Sequence, residues 1–290
     1  MIEPFAVPFM ARALAELALL ALICGPVSVF VFARRLSFVS DALTHTVFPG
    51  VVIGFLAGGV EGIFAGALVA AVVTAVALTL LTRAGALSDD ASTAVVLTAM
   101  FSIGVALVSR RSSYTSDLTT FLFGRILTVT PSQLAETAAL AAVILTLLLI
   151  GARAIIFRTF DPTGAAAAGY RVFWLDLWLN LIVALVVVAA VRAVGTILVV
   201  ALLIVPAAAA RMITSRLVAM AAIGTGLILL ASYAGLLASW TASVTYGFAL
   251  TSASAVVLAL VLIYLLLLPL GALRSAPSPT GGRSPHELVG

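Results

Sequence analysis

Asp41 and His45, in the stretch "SFVSDALTHTVFPG" (residues 37–50), are an acid and an imidazole set in a very hydrophobic chain. Their i, i+4 spacing puts both side chains on one face of a helix, one turn apart. A hard carboxylate oxygen and a borderline imidazole nitrogen suit Zn²⁺ or Mn²⁺ and give Ca²⁺ or Mg²⁺ no particular preference. Two ligands are too few to hold a divalent ion selectively, since tetrahedral sites use four. A twofold pairing of two copies supplies four, because an isologous interface repeats each residue across its axis. On the residues alone a second reading stands beside this one, with Asp41 capping a helix start and His45 a buried, hydrogen-bonded core residue. His286, the other histidine, lies in a polar tail and reads as solvated.

Other chemistries find little support. All 15 basic residues are Arg, so there is no lysine to reach the phosphates of a nucleotide in a P-loop, and the chain does not hydrolyse ATP by itself. Neither HExxH nor GxSxG occurs, which removes the familiar metalloprotease and serine-hydrolase patterns. The lone Cys24 excludes an intrachain disulfide and a multi-cysteine metal site. The net charge of +4 does not indicate nucleic acid, because the arginines are scattered over short loops with no dense stripe and no interleaved aromatics.

The elements that must position Asp41 and His45 follow from composition. With 63% hydrophobic residues, 9% charged and a mean hydropathy of +1.29, the chain is an integral membrane protein. Apolar runs of about 20 residues recur along it, so the class is all-α and polytopic, not a barrel. Spans are expected near 14–33, 38–57, 60–82, 91–109, 133–152, 172–191, 195–210, 217–237 and 245–268, giving eight or nine helices, with 195–210 short for a full crossing. If nine spans alternate, Arg34/Arg35, Arg83, Arg153/Arg158/Arg171, Arg211/Arg216 and Arg274/Arg283 share one side, the cytoplasm, with Arg110, Arg111 and Arg192 as exceptions.

Two stretches depart from helix and short loop. "DLTTFLFGRILTVTPSQL" (Asp117 to Leu134) reads as a short re-entrant or interfacial segment on the outer side. "FRTFDPTGAAAAGYRVFWLD" (Phe157 to Asp176) reads as a short capped cytoplasmic helix ending at Gly169. Asp176 is expected to pair with Arg171 and Asn180 to hydrogen-bond to a neighbouring helix, while Asp89 and Asp90 read as a helix N-cap. Pro49-Gly50 and Pro206 are expected to kink their helices. Residues 1–273 form one transmembrane domain, with the connecting loop at about 158–171, and the Ser/Pro/Gly-rich stretch 274–290 is expected to be a disordered cytoplasmic tail.

"RRLSFVSDALTHTVFPGVVIGFL" (Arg34 to Leu56) resembles the signature of the membrane permeases of the ABC-3 family of zinc and manganese importers, usually close to "GDALSHAVLPG". In the same order, "DLTTFLFGRILTVTPSQL" resembles that family's "LFGNIL" segment, "FDPTGAAAAGY" its "FDPE-A-ALG" loop, and "VGTILVVALLIVPAAAARMI" (Val194 to Ile213) its "VG-LLV-ALL--PAA-AR" run. Departures are mild: Ser40 stands where the family usually has Gly, Thr44 where Ser is common, and Phe48 where Leu is common. None removes a ligand.

The resemblance implies a type II ABC importer-like fold. It further implies a prokaryotic plasma-membrane permease that works as a homodimer, with two cytoplasmic ATPase subunits and an extracytoplasmic metal-binding protein as partners. Asp41 and His45 would lie in the metal path, and Asp161, Pro162 and Gly169 would belong to the coupling helix that docks on the ATPase. No cofactor would be permanently bound: Mn²⁺ or Zn²⁺ would be cargo and ATP would sit on the partner subunit. The alternatives are a siderophore- or cobalamin-type permease, which needs a wide cavity and no ligands in the second helix, a proton-coupled transporter with Asp41 as carrier, and a membrane scaffold.

Overall fold

Where the surroundings are apolar, backbone N–H and C=O groups must find partners within the chain, so each apolar run closes on itself as helix. A computed structural model describes residues 3–85, 88–109, 124–248 and 250–275, and no strand occurs among them. After a turn at Glu3–Ala6 come α1 (Pro8–Ala33), α2 (Ser37–Thr46), α3 (Phe48–Arg83), α4 (Asp89–Val108), α5 (Pro131–Phe160), α6 (Pro162–Ala167), α7 (Val172–Ile213), α8 (Leu217–Tyr246) and α9 (Ser252–Ser275). Among the described residues, 8 helical segments are long and apolar enough to cross a membrane. One of these is Ser37–Gly59, which joins α2 to the first leg of α3, and another is the second leg, Glu61–Arg83. The protein is an all-α, multi-pass membrane protein.

α7 has 42 residues. Drawn straight it would run about 63 Å, twice the ~30 Å hydrocarbon core. Its contacts show that it folds back. Near its start, Asp176 pairs with Arg34, just past the end of α1. Near the middle, Arg192 donates to Glu136, in the first turns of α5, at 2.6 Å, and its guanidinium lies 5.4 Å from the ring centre of Phe64, in the first turn of the second leg of α3. Beyond Gly195, Ala207 and Ala210 pack with Val29 of α1 and Met220 of α8, back toward the level of Arg34. The reversal is at Gly195, whose φ of 76° and ψ of 166° lie in a region open to glycine and strained for other residues. The expected spans 172–191 and 195–210 are thus the two legs of one element, and the second returns for about 27 Å. Arg211 and Arg216 accordingly lie on the side of Arg34, as the arginine distribution requires.

The reversal is braced from outside. The Arg125 N–H donates to the Ala193 carbonyl at 3.0 Å, and the 3-10 turn Ile126–Thr128 follows directly. This is the described part of the expected interfacial segment; residues 117–123 lie outside the described residues, as do Arg110 and Arg111 and all of the expected tail 274–290 beyond Ser275.

A glycine seam closes the α3 hairpin. The helix breaks at Gly58 and Gly59, and the two legs then run side by side with Gly50 and Gly54 facing Gly62 and Gly66. A Cβ on Gly50 would collide with the Gly66 carbonyl oxygen and Ala70 Cβ, so the backbones touch only because these positions carry no side chain. α7 is the most enclosed span, with Leu179, Ile182, Val183, Leu198 and Leu202 fully buried at the centre of the core.

Candidate metal centre

α2 is amphipathic within the membrane. Val39, Ser40, Ala42, Leu43, Thr44 and Thr46 are buried. The hydroxyls among them are satisfied by the helix itself: Ser40 donates to the Leu36 carbonyl and Thr44 to the Asp41 carbonyl, both at 2.7 Å, and Thr46 to the Leu43 carbonyl at 3.2 Å. Phe38, Asp41 and His45 are left on the opposite face, at the i, i+3, i+7 positions of one stripe. The helix ends at Val47, and Pro49, which has no N–H to donate, opens α3, so the kink expected at Pro49-Gly50 falls just before them.

The two side chains meet as their spacing requires. His45 Nε2 lies 4.0 Å from Asp41 Oδ1, with the side chains 30% and 44% exposed. That gap is within the reach of one ion making two bonds of about 2.0–2.2 Å. The His45 ring stands edge-on to Phe101 of α4, with centroids 6.0 Å apart, and Phe101 leans on Phe48 at 5.9 Å. Phe101 was not visible as a site residue in the sequence, since nothing local links it to position 45. Counted from the start of α2 at Ser37, Asp41 lies about 6 Å and His45 about 12 Å along the helix. No group of three or more His, Cys, Asp and Glu gathers among the described residues, so one chain brings two such side chains together on this face. His286 lies outside the described residues.

The expected coupling segment is α6. Asp161 caps it, accepting the Gly164 N–H at 2.7 Å, and Pro162 fills the first helical position, where a missing N–H costs nothing. The chain leaves the helix through Gly169 at φ 86°, with the Tyr170 N–H donating to the Ala165 carbonyl at 3.0 Å. Ala165 is the buried residue of α6, packed inward, while Asp161, Pro162 and Thr163 are exposed. It is a short helix, capped by a side chain at its start and closed by a backbone hydrogen bond at its end.

Two expectations are corrected. Asp176 does not pair with Arg171: its carboxylate takes Arg34 at 2.8 Å, Arg158 at 3.2 Å and Arg83 at 3.6 Å. Five residues apart on a helix, 171 and 176 point in different directions, whereas the three arginines arrive from other helices at the same level. The cap of α4 is Ser88, which accepts the Ala91 N–H at 3.2 Å, and Asp89 and Asp90 occupy the first turn. Asn180 does bond to a neighbouring helix, donating to Thr79 at 2.9 Å. One buried acid escaped the sequence reading: Glu16 in α1 accepts from Thr137 of α5 at 2.8 Å. A lone Glu inside the apolar run 8–33 was the available signal.

Residues 6–269 match the model of the ABC 3 transport family. The manganese transport system membrane protein MntC of Listeria monocytogenes is 32% identical over 256 residues, 88% of each chain. The chelated iron transport system membrane protein YfeD of Yersinia pestis is 31% identical over 275 residues, 95% of this chain and 92% of that one. Among solved structures, PsaBC from Streptococcus pneumoniae in complex with Fab has a TM-score of 0.78 at 29% identity, covering 92% of this chain and 95% of that chain.

Proposed function

The chain belongs to the ABC 3 transport family, and we propose that it is the permease of a manganese importer, in which two copies build one ion path from paired Asp41 and His45. As a member of that family it is a multi-pass transport subunit of a prokaryotic plasma membrane and not an enzyme; ATP is hydrolysed by a separate subunit. The observation that carries the proposal is the face of α2: every buried hydroxyl is absorbed by the helix, and a carboxylate and an imidazole spaced for one ion are left on the open side. Half a coordination shell on an open face asks for its other half, and a second copy across a twofold axis supplies the same two groups. The carboxylate makes the set hard enough for Mn²⁺, and the name of the manganese-transporting relative favours that ion over Zn²⁺. α6, exposed and capped, is the surface on which an ATPase subunit docks, and an extracytoplasmic metal-binding protein delivers the ion to the opposite face.

The test is uptake of radiolabelled Mn²⁺ into proteoliposomes holding the permease, its ATPase and its binding protein. ATP-dependent accumulation that is abolished by Asp41→Ala, with the protein present at normal level, is the expected result. Accumulation unchanged by that substitution would sink the site, and accumulation without ATP would move the protein to the proton-driven class. The name of the chelated-iron-transporting relative supports a second cargo, iron, and competition by Fe²⁺ and by an iron chelate in the same assay measures it.

A further inference from the structure

We propose that Asp176 is a positioning residue that ties the coupling segment to the metal-bearing helix, so that movement of α6 is transmitted to Asp41 and His45. This rests on the reading of α6 and of the Asp41/His45 pair given above.

Arg158 sits in the last turn of α5, three residues before the Asp161 cap, and Asp176 sits in the first turns of α7, just after α6. Their contact at 3.2 Å therefore closes the base of the hairpin that carries α6, and a displacement of α6 pulls on this pair first. The other carboxylate oxygen, Oδ1, is ion-paired with Arg34 at 2.8 Å, outside hydrogen-bonding geometry, and Arg34 lies three residues before α2 and seven before Asp41. Arg83, at 3.6 Å, closes the second leg of α3, and that leg is locked through the glycine seam to the leg that continues α2. One carboxylate thus joins the coupling hairpin to both ends of the α2–α3 unit.

The chemistry of the cluster sets it apart from simple glue. Three guanidinium groups share one carboxylate, and Asp176, Arg34 and Arg158 are 16%, 16% and 18% exposed, so the surplus positive charge is only partly hydrated. Arg158 Nε is buried with no acceptor among the described residues. An arrangement built for stability alone is matched by apolar packing at such a place. Beside the cluster lies a cavity of about 340 Å³ that also holds Asp89, a carboxylate with no ion-pair partner among the described residues. Arg83 makes the longest of the three contacts and is the most exposed of the three, and Asp89 is a second acceptor within its cavity. An exchange of Arg83 from Asp176 to Asp89 would give the cluster the second pairing that a two-state transmission element requires. Asn180, a turn beyond Asp176, holds α7 to Thr79 of α3 throughout, keeping register while the arginines exchange.

The test uses the complete transporter in proteoliposomes, with Mn²⁺ binding, ATP hydrolysis and Mn²⁺ uptake measured on the same preparation. Asp176→Asn is expected to leave Mn²⁺ binding unchanged and ATP hydrolysis largely intact, while ions moved per ATP fall about tenfold, within the usual range of a coupling interaction. Asp176→Glu is expected to restore part of the loss. Arg34→Gln and Arg158→Gln each break the tie at one end, so the double variant is expected to be no worse than the poorer single one. If Asp176→Asn fails to assemble, Arg34→Gln, which leaves Asp176 two partners, decides by the same readouts. An unchanged ratio of ions to ATP overturns the proposal. So does a proportional loss of binding, hydrolysis and uptake, which marks a merely structural residue. Wild-type transporter that hydrolyses ATP without moving Mn²⁺ overturns the functional reading itself, an outcome visible before any variant is compared.

Discussion

His45→Ala is the most informative single change, and its size can be worked from the site. One chain offers two proposed ligands, Asp41 and His45, 4.0 Å apart, and no third His, Cys, Asp or Glu joins them among the described residues. In a twofold pair the substitution removes two of four protein ligands and leaves two carboxylates facing one another. Loss of an outer-shell partner alone costs about 10–100-fold in metal affinity. Two direct ligands must cost more than one such partner, so the affinity is expected to fall at least about 100-fold, ~2.7 kcal/mol. Isothermal titration of Mn²⁺ into the permease in nanodiscs measures this and also gives the stoichiometry, expected to be one ion per two chains. Phe101→Leu, which removes only the ring against the edge of the imidazole, is expected to weaken binding by about tenfold or less. A His45→Ala protein that binds Mn²⁺ as wild type does, or a wild-type stoichiometry of one ion per chain, would refute the shared site.

Gly54→Ala puts a methyl group 2.9 Å from the Gly62 carbonyl carbon and 3.1 Å from Gly66 Cα. An overpacking cost of about 1–3 kcal/mol outweighs the ~1 kcal/mol gain in helix propensity, so the thermal midpoint in detergent is expected to drop, and Mn²⁺ binding with it. An unchanged midpoint would show that the hairpin is looser than described. Glu16→Ala leaves the buried Thr137 hydroxyl without its acceptor, costing about 1–3 kcal/mol in the same unfolding assay, whereas Glu16→Gln keeps an acceptor and is expected to cost much less. Equal losses in the two variants would contradict the assigned bond. Asp161→Ala removes the cap of α6, worth ~1 kcal/mol locally, and is expected to reduce stimulation of the partner ATPase while leaving Mn²⁺ affinity unchanged.

What was legible in the sequence is what depends on near neighbours. Apolar runs lead to helices whatever surrounds them, so the all-α multi-pass class followed from composition. The Asp41/His45 pair could be placed because i, i+4 geometry is a property of the helix, and the form of α6 because Asp161, Pro162 and Gly169 act on residues within three or four positions. The same logic explains the misses. Arg171 is the arginine nearest to Asp176 along the chain, but ion pairs at a membrane face are chosen by depth and direction, and the partners of Asp176 come from positions 34, 83 and 158.

The sequence by itself determined the medium this protein lives in, the helices it forms there, the spacing that sets Asp41 and His45 on one face and the absence of an ATP-hydrolysing lysine, since each depends on side-chain chemistry and local backbone geometry. Only the tertiary structure decided that α7 reverses at Gly195, that four glycines let the legs of α3 touch, that Phe101 backs His45, and that one carboxylate gathers three arginines from distant helices. These are choices among packings that are locally equivalent, and they are settled by which surfaces fit and which charges must share a small, poorly hydrated volume.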